Sequence, residues 1–164
     1  MLRRLLFASI LMPAIALACD ATIPVTVRFD HPEEFTDVKT SSRPDERARD
    51  YLLGELRDHL RDAAPKRLAT GHCLALVITN VDMAGSFEPW RGPNSAHIRV
   101  IRDIYPPRID LAFRLTDESG ALLKEGRRNL VDMSFLTMSA INRHDSLDAE
   151  KRMLDAWLRR EFAR

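Results

Sequence analysis

The sequence has almost no net charge and no apolar run long enough to span a bilayer. Its 25 lysines and arginines stand against 24 aspartates and glutamates, which gives a formal charge of +1 at pH 7. A domain that binds nucleic acid through its overall charge needs a strong basic excess, so no nucleic-acid partner is expected. A membrane-spanning helix needs about 20 consecutive apolar residues. No transmembrane segment is therefore expected once an N-terminal leader is removed.

Recognisable catalytic and metal-binding patterns are also missing. The sequence contains neither a G-x-S-x-G nucleophile elbow nor a glycine-rich phosphate loop. None of its five histidines forms an i, i+4 pair with another metal ligand of the kind seen in helical zinc sites. Methionine is far more often core filler than a copper ligand. No metal and no cofactor are expected, and the chain is more readily interpreted as a binding protein than as an enzyme.

The first eighteen residues have the three parts of a secretory signal peptide. Arg3 and Arg4 form a positive start, residues 5–17 are apolar, and Ala16 and Ala18 fit the small-x-small cleavage rule. An uncleaved anchor is a weaker alternative because the apolar part is short and contains Pro13. We therefore predict a signal peptide at residues 1–18, a single domain at residues 19–164, and a periplasmic location.

Cysteine is scarce, with Cys19 and Cys73 as its two occurrences. Cys19 directly follows the predicted cleavage point, where it could be the lipid-modified first residue of a bacterial lipoprotein. It could instead pair with Cys73, since disulfides form in oxidising compartments. A pair of free thiols is the third alternative. A membrane tether is expected only if Cys19 is lipidated.

The central stretch of the chain is residues 71–85, GHCLALVITNVDMAG, an apolar run that ends in a polar turn. Such a run, bounded by glycines, predicts an inner strand. Its bulkier face, formed by Leu74, Leu76 and Ile78, is expected to lie beneath helices. Cys73, at the start of the strand, belongs to the lighter face.

The periodicity of the remaining chain predicts further strands and two helices. Alternating apolar residues indicate strands at residues 23–30, 97–101, 108–115 and 121–131, and TDESG at residues 116–120 is a hairpin turn. Apolar stripes at helical spacing indicate amphipathic helices at residues 44–64 and 146–162. This order predicts an α+β fold: a two-layer domain with a mostly antiparallel sheet of four to five strands and two helices on one face.

Several short patterns resemble the domain-of-unknown-function 3016 family, whose members are secreted proteins of Gram-negative bacteria. The patterns are PEEFTD, VITNVDMAG, LAFRLTDESG, NLVDMSF and LDAEKRMLDAWL, in this order along the chain. The resemblance covers nearly all of the chain from about residue 25 to residue 162. It implies export and a shared fold, and it implies no activity.

Two surfaces are candidate binding sites. The first is the sheet face turned away from the helices, where alternation places Arg28, Arg99 and Arg114; arginine suits contacts with carboxylate or phosphate groups. The second is the loop after the central strand, which contains Phe87, Trp90 and Arg91, since aromatic residues beside arginine are common at binding hot spots. The competing interpretations are a solvated outer face and a tryptophan folded back onto the core.

The leading hypothesis is therefore an exported periplasmic, non-enzymatic domain that binds an envelope protein or a small anionic ligand. One alternative is a hydrolase that uses Asp82, a weak catalytic candidate at a strand end. An aspartate in this position more often caps the following turn. The other alternative is a purely structural component of the envelope, which predicts no pocket and an apolar contact patch.

Overall fold

The computed structural model describes residues 23–43, 45–92, 95–137 and 145–163. These residues form an α+β domain, as predicted. Its elements in chain order are β1 (Val25–Phe29), α1 (Glu46–Ala63), β2 (Cys73–Asp82), β3 (Ser86–Phe87), β4 (Arg99–Val100), β5 (Arg108–Thr116), β6 (Leu122–Val131) and α2 (Asp148–Glu161). The predicted signal peptide at residues 1–18 lies outside the described residues.

The main sheet has four strands in the order β1-β2-β5-β6. β1 pairs with β2 in parallel, and the other two pairings are antiparallel, which confirms the mostly antiparallel sheet. The strand predicted at residues 97–101 is shorter and does not join this sheet. Its residues Arg99 and Val100 pair instead with Ser86 and Phe87 in a separate two-stranded sheet. The prediction erred because alternation along one strand does not identify its partner.

β2 is buried on one face, as its alternation predicts. Leu74, Leu76 and Ile78 are each no more than 1% exposed, whereas Ala75 and Val77 on the opposite face are half-buried. The parallel pairing places Val25 and Val27 beside this buried face. A sheet that is apolar on one side buries that side against other elements, and here the helices cover it.

α1 contributes Leu52, Leu56 and Leu60 to the core. It begins at Glu46 because the Asp45 carboxylate accepts hydrogen bonds from the N–H groups of Arg47 and Ala48 at its first turn. The helix therefore starts two residues later than the predicted range of 44–64, and Pro44 itself lies outside the described residues.

α2 packs an aromatic cluster against the same face of the sheet. The rings of Phe113, Trp157 and Phe162 meet edge to face, with centroids 5.6 to 5.8 Å apart. Each such pair stabilises the fold by about 0.5–1.5 kcal/mol beyond its buried area. Both helices thus cover one sheet face, and Arg28 and Arg114 lie on the other face.

The segment between β6 and α2 is described as far as residue 137, where its backbone forms turns and Phe135 is buried. Residues 138–144 lie outside the described residues. Among the helices in the described ranges, none is long and apolar enough to cross a membrane.

Candidate functional site

A polar pocket of about 360 Å³ lies where β2 ends and β5 begins. Volumes of this size are typical of ligand sites, although most such sites have more apolar walls. Its lining includes the acidic or amide side chains Asp37, Asn80, Asp82, Asp110 and Asn129, together with Thr36, Ser86, Ile104, Tyr105 and Arg108. The polar end of residues 71–85 therefore forms one wall of a pocket.

Two carboxylates of this pocket are placed side by side by the backbone. Asp37 forms a parallel bridge with Asp82. The Asp37 N–H donates to the Val81 carbonyl at 3.0 Å, and the Met83 N–H donates to the Asp37 carbonyl at 3.1 Å. Residues bridged in this way project their side chains to the same side of the pairing. The chain after β1 thus brings a second acid to Asp82.

Asp37 is held as a buried ion-paired carboxylate by Arg99. The Arg99 guanidinium donates to both Asp37 oxygens, at 3.0 and 3.2 Å. It also donates to the carbonyls of Ala84, Gly85 and Lys39 at 2.9 to 3.4 Å. The prediction that Arg99 lies on the outer sheet face is therefore wrong. β4 belongs to the separate β3–β4 sheet, and the Arg99 side chain points toward Asp37 at the back of the pocket.

Asp82 is half-buried, and burial raises the pKa of its carboxyl group. The neighbouring Asp37 charge raises this pKa further, while Arg108 acts in the opposite direction. Arg108 is the cross-strand partner of Asp82 in the β2–β5 pairing. In the described part of the chain, the Asp82 carboxylate accepts no hydrogen bond that would favour its charged form. The two carboxyl groups therefore have different surroundings. The Asp37 carboxylate is ion-paired with Arg99, whereas the Asp82 carboxyl group faces the cavity without such a partner among the described residues.

Amide side chains organise the pocket mouth. The Asn80 carbonyl oxygen accepts hydrogen bonds from the Thr36 N–H at 2.9 Å and from the Thr36 hydroxyl at 3.1 Å. On the neighbouring strands β5 and β6, the Asn129 amide donates to the Asp110 carboxylate. Asn80 thus ties the segment after β1 to β2 and fixes the position of Asp37.

Glu150 supports the pocket from behind, and sequence reasoning missed this role. The side chain is fully buried, and one of its oxygens accepts the Ala84 N–H at 2.6 Å. Burial raises the pKa of this carboxyl group. The available signal was its position, three residues after Leu147 and four before Leu154, on the apolar stripe of α2. Asp37 was also missed, because its place in a polar connection carries no comparable pattern.

The predicted binding residues Phe87, Trp90 and Arg91 have different surroundings in the structure. Phe87 is buried beneath the Arg99 guanidinium, which lies 4.6 Å from its ring centroid. Trp90 is 73% exposed, so it does not fold back onto the core. Arg91 forms an ion pair with the buried Glu88, which also accepts a hydrogen bond from the Tyr105 hydroxyl at 3.1 Å. Trp90 is thus free for contact with a partner.

Arg28 and Arg114 lie on the outer sheet face, as alternation predicts, but they do not converge. β2 separates their two strands, and Arg28 pairs with Asp30 at 2.6 Å. Arg114 stands opposite Glu125 of β6. Neither arginine lines the pocket. Arg28 and Arg114 therefore do not form a cluster around one anion in the described part of the chain.

In the described ranges, no group of three or more histidine, cysteine, aspartate or glutamate side chains is arranged to hold a metal ion. Cys73 begins β2 and is not a free thiol. Cys19 lies outside the described residues, so lipidation and disulfide formation remain predictions.

Comparisons with known proteins bear on the family and not on an activity. Searches of curated proteins and of solved structures each found no match. A family model described as "Protein of unknown function (DUF3016)" matches residues 23–160. The match spans the pocket, all strands of the main sheet, α1 and all but the last residue of α2, so the chain belongs to the DUF3016 family, as its short patterns predict.

Proposed function

We propose that this chain is an exported periplasmic domain that binds an envelope protein without catalysis and receives a polar group of that partner in the pocket. The observation that carries the proposal is the pairing of Asp37 and Asp82 at the end of β2, inside a cavity of about 360 Å³. The predicted signal peptide supports the location. The lack of a recognisable catalytic pattern supports the non-enzymatic role.

The charge of the pocket favours a hydrogen-bond donor or a cation as the bound group. Among the described residues, three carboxylates line the cavity, those of Asp37, Asp82 and Asp110, together with one guanidinium, that of Arg108. Arg99 offsets the charge of Asp37 from behind. A basic side chain of a partner would gain charge-assisted hydrogen bonds here. The small anionic ligand predicted from the outer-face arginines has less support, because those arginines do not meet.

An apolar rim beside the pocket favours a protein over a small molecule. Trp90, Ile98, Ile101 and Ile104 lie within one segment of the chain and are between 44% and 73% exposed. Ile104 also lines the pocket. Exposed apolar side chains that lie close together on a surface are typical of protein interaction sites.

Crosslinking in intact cells tests the proposal, with variants at the rim and in the pocket. Trp90→Ala removes the most exposed aromatic residue, and Asp82→Asn removes a pocket charge at nearly constant volume. Matched controls are Tyr51→Ala and Asp58→Asn, at exposed positions of α1 away from the pocket. We expect the first two variants to lose a discrete crosslinked partner that both controls retain. Equal recovery by all four variants would overturn the proposal.

A hydrolase is the second candidate, and the Asp37–Asp82 pair is the observation that favours it. Pairs of carboxyl groups whose environments separate their pKa values can divide acid and base roles. Asp82 lacks a hydrogen-bonded histidine or serine in the described residues, so binding has the stronger support. Turnover of an ester, amide, glycoside or phosphoester by the purified protein, lost in Asp82→Asn and kept in Asp58→Asn, would reverse this order.

A purely structural envelope role has the least support. That role predicts an apolar contact patch without a pocket. Ile104, one of the exposed apolar residues, lines a polar cavity instead.

A further inference from the structure

A second surface, independent of the pocket, lies at the β1 edge of the main sheet. β1 pairs with β2 on one side, and no described strand pairs with its other side. The Leu74 N–H donates to the Pro24 carbonyl at 2.8 Å, and the Asp30 N–H donates to the Ile78 carbonyl at 2.9 Å. Backbone groups alternate in direction along a strand. The N–H and C=O groups of Val25, Val27 and Phe29 therefore point to the open edge.

A groove of about 450 Å³ runs beside this edge, between β1 and α1. Its floor is apolar, formed by Val27 and Leu53, which are 9% and 3% exposed. Its rim is polar and includes Arg28, Asp50 and Arg57. A free strand edge beside a groove with an apolar floor has the geometry of strand addition. Main-chain hydrogen bonds then give affinity, and alternate side chains enter the groove.

The positive charge of Arg57 indicates which kind of side chain a bound strand would place in the groove. Its guanidinium lies over the Phe29 ring, 5.3 Å from the centroid. Within the described residues it has no carboxylate within 4.0 Å, whereas Arg28 is paired with Asp30 and Asp50 lies 3.5 Å from Arg49. A guanidinium held by an aromatic ring and lacking an acidic partner is complementary to an incoming carboxylate.

The opposite edge of the sheet is formed by β6, which is poorly suited to pairing with an added strand. β6 carries Lys124, Glu125, Arg127 and Arg128 in its middle. Charged side chains along an edge discourage the addition of another strand. β1 carries one charged residue, Arg28, and its apolar residues Val27 and Phe29 line the groove. Of the two edges, β1 is the one suited to accept a strand.

We propose that an extended segment of a partner polypeptide adds to β1 as a fifth strand of the sheet. On the side facing α1, the segment places an apolar side chain over Val27 and Leu53 and an acidic side chain at Arg57. Residues two apart on a strand share a face, so the recognised pattern is an apolar residue and a glutamate or aspartate at i and i+2.

The test uses two matched libraries of immobilised eight-residue peptides and the full exported chain. In the first library, every second position is threonine. The positions between them hold valine, isoleucine or phenylalanine, except for one glutamate. The second library has lysine in place of glutamate. We expect binding to the glutamate library. In amide NMR of the complex, the N–H groups of Val25, Val27 and Phe29 should shift and gain protection from exchange, whereas those of Thr26 and Arg28, which face β2, should change little.

Arg57→Gln and a control on the same helix complete the test. Arg57→Gln should weaken binding of a selected glutamate peptide about tenfold, as expected for the loss of one charge-assisted hydrogen bond. Arg61→Gln, at an exposed position outside the groove, should leave binding unchanged. The proposal is overturned if neither library binds, if the lysine library binds equally well, or if the protected amides belong to β6. Asp82→Asn should not affect this binding, which separates the result from that of the pocket.

Discussion

Arg99 holds Asp37 through two hydrogen bonds, to separate carboxylate oxygens at 3.0 and 3.2 Å, although the two residues are 62 positions apart. Their side chains are 14% and 10% exposed. Two N–H···O bonds between a guanidinium and a carboxylate fix direction as well as distance. This contact joins the chain after β1 to the small β3–β4 sheet and forms the back of the pocket.

Arg99→Met should lower the free energy of unfolding by about 3 kcal/mol, because it leaves the buried Asp37 carboxylate without its hydrogen-bonded partner and with the Lys39 ammonium 3.8 Å away. Urea unfolding followed by tryptophan fluorescence measures this loss. Arg28→Met, which removes an exposed ion pair, is the matched control and should cost less than about 1 kcal/mol. Similar losses in both variants would show that the Arg99 contact is not structural.

Stability should fall as pH rises through the titration of Asp82. Burial, together with the Asp37 charge, raises the pKa of Asp82 above its unfolded value of 3.8. Between these two values the folded state binds more protons than the unfolded state, so its contribution is present at low pH and is lost as pH rises. Asp82→Asn should remove this part of the pH dependence. Unfolding midpoints of both proteins from pH 3 to pH 7 test it, and a parallel pH profile for the variant would contradict the assignment.

The same Asp82 carboxyl group can be titrated directly by carbon NMR. Asp37→Asn should lower the pKa of Asp82, since the Asp37 charge is one of the causes that raise it. A pKa that does not move would mean that the two carboxylates are electrostatically independent.

Gly85 and Gly120 form a matched pair for measuring crowding at the pocket. Both have positive φ, +80° and +82°. A Cβ at Gly85 would lie 2.5 Å from Ile101 Cδ1 and 2.7 Å from the Val100 carbonyl oxygen, whereas a Cβ at Gly120 meets nothing within 4 Å. Gly120→Ala should cost about 1 kcal/mol of backbone strain. Gly85→Ala should cost roughly 1–3 kcal/mol more. Equal unfolding free energies would show that the β3–β4 sheet moves aside freely.

Local patterns predicted the elements of this fold, and long-range pairing limited the prediction of the site. The alternation of Leu74, Leu76 and Ile78 identified the buried face of β2. The hairpin turn was also readable, because Asp117 accepts hydrogen bonds from the N–H groups of Ser119 and Ala121 within the same turn. Such signals lie within a few residues of one another, so the sequence displays them directly.

The pocket depends on contacts that no local pattern encodes. Asp82 was noted as a strand-end acid, but its neighbour Asp37 comes from a connection 45 positions earlier. Arg99 followed the alternation of a strand and was assigned to the wrong sheet, because two residues of β4 pair away from the main sheet. Glu150 was detectable in principle, since an acid on an apolar stripe requires a buried partner.

Glu161 should make the fold sensitive to acid. Its carboxylate binds Arg128 at 2.8 Å and Lys124 at 2.7 Å. The hydrogen bond from Arg128 lowers the pKa of Glu161 most, and the contacts with Lys124 lower it further. Burial acts in the opposite direction, and the resulting pKa is about 2. A depressed pKa gives stability that is present above the unfolded value of 4.5 and is lost as pH falls toward 2. Glu161→Gln should therefore cost about 1–2 kcal/mol at pH 7 and progressively less below pH 4.5. A difference from the native chain that stays constant down to pH 2 would contradict this role.

The register of β1 and β2 favours a disulfide over lipidation at Cys19. Val25 pairs with Leu74, and the Leu74 N–H donates to the Pro24 carbonyl, so the residues that enter β1 lie beside the start of β2 at Cys73. A disulfide requires Cα atoms within about 7 Å, and five residues from Pro24 back to Cys19 can span the short distance that remains. We expect the exported protein, measured intact without reductant, to have the mass of residues 19–164 less two hydrogen atoms. Reduction should restore those hydrogens, and Cys73→Ser should abolish the difference. A mass increased by acyl chains that survive reduction would instead establish the lipid anchor.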